Sequence, residues 1–224
     1  EALHDADVAA ARRGLAAFGQ WMRRDYLAPP HIQVICAALE EVEAGECRRL
    51  IVEVPPRHGK TVTVSELFPA WYLGRHPDRD VMSASHSQEF ADGVGRAVRN
   101  GINSDEFGRV FPGVHLAQDS AAAARFNIDT DDAWVGDAGA RGGSRLRRGV
   151  YKGFGRTGRY TGSGANLLIL DDLIAEHEAD SDAAKHEAHR AIRALRPLRA
   201  PKKEGSAWVV VNTRYREDDP IGYI

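Results

Sequence analysis

The run ANLLILDDLI, Ala165 to Ile174, limits the fold more than any other stretch of the chain. Its four consecutive apolar residues, Leu167 to Leu170, read as a buried strand, and two carboxylates, Asp171 and Asp172, stand at its end. A strand with no polar face needs a sheet around it and cover on both sides. The rest of the chain supplies both. Strand-like runs recur at RRLIVEV (48–54), RDVMSASHS (79–87) and SAWVVVNTR (206–214), with shorter ones expected near Ala124–Ile128 and Leu146–Tyr151. RRLIVEV is rich in branched residues and is expected to be buried on both faces. Helical patterns separate these runs. The first spans Asp5 to Arg24 around Val8, Leu15, Phe18 and Met22, and the second His31 to Ala44 after a break at APP. Others follow at 61–77, at Gln88 to Asn100, and at Ser181 to Leu195, where Ala184, Ala188, Ile192 and Leu195 share one face. Such alternation predicts an α/β fold, a mostly parallel central sheet flanked by helices. The expected organisation is a helical segment, 1–45, packed on an α/β core, 46–224.

Composition excludes little. An apolar fraction of 43% over 224 residues supports a sizeable core, and a net charge of −2 favours no partner class. The distribution of charge is more informative. From Ala138 to Leu170 there is no acidic residue, while Arg141, Arg145, Arg147, Arg148, Lys152, Arg156 and Arg159 all fall inside. That asymmetry suits an anionic partner, and it equally suits a solvated face. Cys36 and Cys47 form neither a disulfide framework nor a metal motif, which fits a reducing compartment. No window resembles a membrane span or a signal peptide. The chain opens on Glu1 and closes at Ile224 soon after an apolar strand, which suggests one domain of a longer protein.

The chemistry concentrates at LIVEVPPRHGKTVTV, Leu50 to Val64. Holding a triphosphate needs inward-pointing amides, a lysine for the β- and γ-phosphates, and a hydroxyl for Mg²⁺. Lys60 and Thr61 are the right residue types, Gly59 permits close backbone approach, and Arg57, His58 and Val62 complete the cradle at the start of a helix. The glycine that usually opens such a loop is absent, and Pro55 and Pro56 remove two donors from its strand end. The second half comes downstream. Asp171 at the end of its strand can join Thr61 around Mg²⁺, and Asp172 can orient or deprotonate water. ATP with Mg²⁺ is therefore the expected ligand. A second glycine pattern, Gly153-Phe-Gly155-Arg-Thr-Gly158, matches a dinucleotide fingerprint but precedes no helix, and reads instead as a mobile basic loop near phosphates. The pairs Asp131/Asp132 and Asp218/Asp219 read as loop or capping residues rather than a nuclease site. The nine histidines show no metal-ligand spacing.

Four stretches in this order, VPPRHGKT, FPAWYLGRHPDRDVMSASHSQEFA, YTGSGANLLILDDLI and VVVNTRYREDDPIG, resemble the ATPase domain of the large terminase subunit of tailed bacteriophages. The likeness runs from about Tyr26 to the C-terminus. It implies a RecA-like ATPase that drives double-stranded DNA into a procapsid. It further implies a homo-oligomeric (pentameric) ring on the portal protein, a small terminase subunit as partner, and the host cytoplasm as location. On this resemblance Arg57 to Thr61 are the Walker A loop and Leu167 to Asp171 the Walker B strand. Asp172 stands at the catalytic acid, with Glu176 or Glu178 as alternatives because the family often has glutamate there. Thr213 matches the motif that senses the γ-phosphate, and Gln33 or His31 the adenine-reading position. Arg141, Arg156, Arg159 and Arg214 are candidates for an arginine acting on a neighbouring subunit's site. The family's nuclease domain is not in this chain, so no DNA cleavage is expected of it. Three rival readings stay open: another nucleic-acid translocase, a nucleotide-binding assembly module without turnover, and a small-molecule kinase.

Overall fold

The computed structural model describes residues 2–131, 148–158, 160, 164–195, 206–214 and 222. Seven strands form one sheet in the order β1-β7-β6-β2-β5-β4-β3. The first five are mutually parallel: β1 (Arg49–Glu53), β7 (Ala207–Asn212), β6 (Leu167–Asp171), β2 (Val81–Ser85) and β5 (Val150–Gly155). β4 (Arg125–Thr130) and β3 (Val114–Ala122) extend the sheet antiparallel. Helices cover both faces, as alternation of side chains along each strand requires. Leu167, Ile169, Val209 and Val211 face a core that includes Phe18, Leu39, Phe68 and Trp71. Leu168, Leu170, Trp208 and Val210 face a second core completed by Ala188, Ile192 and Leu195 of α7 (Asp182–Leu195).

The N-terminal segment is three helices, not two. Gly14 adopts extended backbone and splits the expected first helix into α1 (Ala2–Arg13) and α2 (Leu15–Met22). Glu40 of α3 (Pro30–Ala44) accepts the hydrogen bond of the Leu15 amide at 2.7 Å, satisfying a donor that helix starts leave open. Ala11, Leu15, Phe18, Ile32 and Leu39 all join the larger core, so the segment is built into the molecule.

The helix after the exposed loop 55–59 runs as a π-helix over Val62–Leu67 and becomes α4 (Phe68–Arg75). Pro69 explains this. It has no amide to give the Ser65 carbonyl, and its ring would collide with that carbonyl in a regular α-helix. The chain widens instead, and the Phe68 amide reaches Thr63 O.

Two expectations need correcting, and one strand was not expected. RRLIVEV is not buried on both faces: β1 is the edge strand, and Arg49, Ile51 and Glu53 are exposed. The polar segment VHLAQDSAA forms a strand, β3, that pairs with β4. The glycine-rich segment expected to be a mobile loop begins as strand β5, which starts later than the expected Leu146, a residue outside the described ones. Its glycines serve packing against α5 (Gln88–Ile102): a Cβ on Gly155 would lie 2.6 Å from the Gln88 amide nitrogen, and one on Gly153 3.2 Å from Ala91 O. No helix among the described residues is long and apolar enough to cross a membrane.

Candidate functional site

Parallel strands all end at the same side, so their last residues form one edge. Register puts Asp171 of β6 level with Val211 of β7 and Ser85 of β2. Directly beyond lie Asp172 and Thr213, and β1 feeds its loop into the same edge from the margin of the sheet. Because β7 sits between β1 and β6, Thr213 stands between the loop and the aspartates.

Lys60 joins the three. Its side chain is buried, and Nζ lies 2.8 Å from Asp172 Oδ2 and donates to Thr213 Oγ1 at 2.6 Å. The other oxygen of Asp172 accepts the Thr213 amide at 2.9 Å, and the Asp172 amide donates to Val211 O at 2.9 Å. A buried ammonium needs such partners to remain charged. Asp171 points the other way, into the helix. Its Oδ2 accepts from Ser65 Oγ at 2.7 Å, while its buried Oδ1 accepts no hydrogen bond from the described residues. Burial pushes the Asp171 carboxyl up to about 7, Asp172 adds to the rise, and Ser65, Lys60 and Thr61 oppose it.

Backbone strain marks both halves of the site. Among the described residues only Arg57 (φ 63°) and Asp172 (φ 42°) have a side chain and a positive φ, and Gly59 (φ 79°) adopts the same region without the penalty. Each non-glycine case costs about 1–3 kcal/mol, and such outliers gather where function holds them. Arg57 and His58 are exposed. His58 Nδ1 lies 2.8 Å from Pro56 O, and His31 Nε2 lies 3.3 Å from His58 O, which brings α3 against the loop. Val62 opens the π-helix. Gln33 is exposed on α3 and donates to Ala28 O at 2.8 Å.

The alternative acids lie apart. Glu176 is exposed on a 3-10 turn, Glu176–Glu178. Glu178 is gripped by Arg156, Nη1 at 2.6 Å and Nη2 at 2.8 Å, and those bonds hold its carboxyl down at about 2. Arg156 also donates to Glu187 at 3.0 Å and to Leu173 O at 3.3 Å. That set of bonds ties β5, the loop after β6 and α7 together, and occupies the guanidinium. Arg148 pairs with Asp119 and Asp129 on the surface, and Arg214 lies 3.5 Å from Glu53. Two members of the basic segment, Arg148 and Arg156, thus face carboxylates of their own chain. Arg141, Arg145, Arg147, Arg159, Asp132, Asp218 and Asp219 lie outside the described residues.

Ser65 had no place in the sequence reading, although a signal was available: it falls four residues after Thr61, on the same helix face. Among the described residues no group of three or more His, Cys, Asp or Glu could hold a metal unaided. A site completed by phosphate oxygens needs fewer protein ligands, which suits Mg²⁺.

A seven-stranded, mostly parallel α/β sheet of this kind has a counterpart among solved structures. The fold is similar to the HK97 bacteriophage large terminase, with a TM-score of 0.58 and 16% identity over 95% of this chain. This chain spans 40% of that protein's length. No protein-family model matches the chain, and no curated protein matches it in sequence.

Proposed function

We propose that this chain binds and hydrolyses ATP, and that it is the ATPase domain of a large terminase that moves double-stranded DNA into a procapsid. The meeting of Lys60 with Asp172 and Thr213 carries the reading, because it joins a phosphate-gripping group, a water-orienting carboxylate and a strand-end hydroxyl in one place. The strand order supports it: β7 inserted between the loop strand and the aspartate strand is what a RecA-like P-loop ATPase needs to bring a sensing residue between them. The likeness to the HK97 terminase fold supports the choice of motor over other ATPases.

In this reading Gly59 and the amides at the helix start receive the phosphates, and Lys60 leaves Asp172 to contact the β- and γ-phosphates. Thr61 and Asp171 Oδ1 would hold Mg²⁺, which supplies positive charge as charge develops on the transferring group. The orphaned, buried Oδ1 makes the residues fit that ion. Asp172, once released by Lys60, orients the attacking water. Thr213, hydrogen-bonded to Lys60 and in backbone contact with Asp172, feels the loss of the γ-phosphate and passes it to the chain beyond β7. DNA, the portal protein, a small terminase subunit, a homo-oligomeric ring and a place at the portal vertex in the host cytoplasm belong to the same proposal.

Phosphate release by the whole chain, with and without double-stranded DNA, tests it. Lys60→Ala is expected to lower turnover at least about 100-fold, as loss of one preorganised charge-stabilising group does, while the folded signal in circular dichroism persists. Turnover retained in Lys60→Ala would remove the assignment. ATP binding without any phosphate release would favour the assembly-module reading instead.

A further inference from the structure

Ser65 and Asp171 make a pairing that the motif residues alone do not explain. Both are buried, at 0% and 1% exposure, and the Ser65 hydroxyl donates to Oδ2 at 2.7 Å. The second oxygen, Oδ1, is equally buried and accepts no hydrogen bond from the described residues. An acceptor left unsatisfied in the interior is disfavoured, and on a carboxylate it leaves an oxygen free to meet a cation. Lys60 does not supply the missing contact, because its Nζ is directed at Asp172 and Thr213. Ser65 lies within the wide turn Val62–Leu67, four residues after Thr61, and its hydrogen bond to Asp171 ties that turn to β6.

We propose that Ser65 is a positioning residue for the divalent metal. Its hydroxyl occupies one oxygen of Asp171, fixes the carboxyl in one orientation, and so presents Oδ1 to the ion beside Thr61. This rests on the ATP reading above. The role differs from a general structural hydrogen bond in what it should affect: metal affinity, and not the loop's grip on phosphate. Outer partners of metal ligands contribute about 10- to 100-fold in metal affinity.

Calorimetric titration of the whole chain separates the two, with Mn²⁺ as the probe. Mn²⁺ is titrated against protein saturated with ADP, and ADP is titrated separately in EDTA. Ser65→Ala is expected to weaken Mn²⁺ binding by about 10-fold or more, with ADP affinity in EDTA changed less than about twofold. In an Asp171→Asn background the same substitution is expected to change Mn²⁺ binding no further, because the hydroxyl acts through that carboxylate. Wild-type Mn²⁺ affinity in Ser65→Ala overturns the proposal. So does an equal loss of ADP in EDTA, which would assign the hydroxyl to holding the loop. A wild-type chain that binds no ADP in either condition removes the nucleotide reading itself, and the role of Ser65 falls with it.

Discussion

β1 and β6 each deliver one half of the candidate site, and they do so from opposite situations. β6 lies in the middle of the sheet, paired on both sides, with all five residues buried. β1 lies at the margin, paired among the described residues only with β7, with three of its five residues exposed. The loop that follows β1 is exposed from Pro55 to Gly59, and burial returns only at Lys60. A strand held by two ladders and two cores opens rarely, whereas an edge strand and its loop belong to the low-stability end of a molecule. The carboxylates therefore sit on the more constrained strand, and the loop carrying Lys60 on the less constrained one. For the proposed ATPase this division would be useful, since groups that set the geometry of metal and water must not drift.

The strongest way to break the comparison is to remove apolar contact from the fixed half. Ile169 is fully buried in the middle of β6. Ile169→Ala is expected to cost about 2–5 kcal/mol of folding stability, read as a fall in the urea midpoint at unchanged slope. A loss under about 1 kcal/mol would mean that β6 is no more constrained than the sheet margin.

The loop leaving β6 should share that fixity through Arg156. Its bonds to Glu178 hold the carboxyl well below the usual carboxylate range, at about 2. The sign follows from linkage: a carboxyl depressed on folding adds stability that is complete above its ordinary pKa near 4.5 and lost as pH falls toward 2. Glu178→Gln is expected to cost about 1 kcal/mol at pH 7, a figure kept low because the pair is partly solvated. The gap between the thermal midpoints of wild type and variant should close between pH 4.5 and 2. A gap independent of pH would show that the pair does not hold this loop.

What could be read from the chain beforehand follows the same division. The buried run at 167–170, the Gly59-Lys60-Thr61 tip and the Asp171/Asp172 pair are local signals, since consecutive apolar residues ending in acid mean much the same wherever the strand lands. The exposure of β1 was not legible, because LIVEV has the composition of a central strand and only the order of the sheet makes it an edge. β3 was hidden for a related reason: VHLAQDSAA is held by pairing with β4 and has no strong pattern of its own. Gly153 and Gly155 misled by type, since glycine marks both mobile loops and places where a helix packs closely on a strand. The partnership of Lys60 with Thr213 links residues 153 positions apart, and only the resemblance to a known family had singled out Thr213.

The smallest effect belongs to the margin, and it is the most direct check on the comparison. Ile51 occupies the middle of β1 as Ile169 does that of β6, yet it is 45% exposed. Truncating it removes surface that water already reaches and leaves no closed cavity, so the transfer and cavity costs that make Ile169→Ala expensive both shrink. What remains is the preference of a branched residue for a strand, a scale spanning about 1 kcal/mol. Ile51→Ala is therefore expected to lower stability by no more than about 1 kcal/mol, measured by urea denaturation beside Ile169→Ala. A loss as large as that of Ile169→Ala would place β1 inside the fixed half and leave the Lys60 loop no softer than the carboxylates it faces.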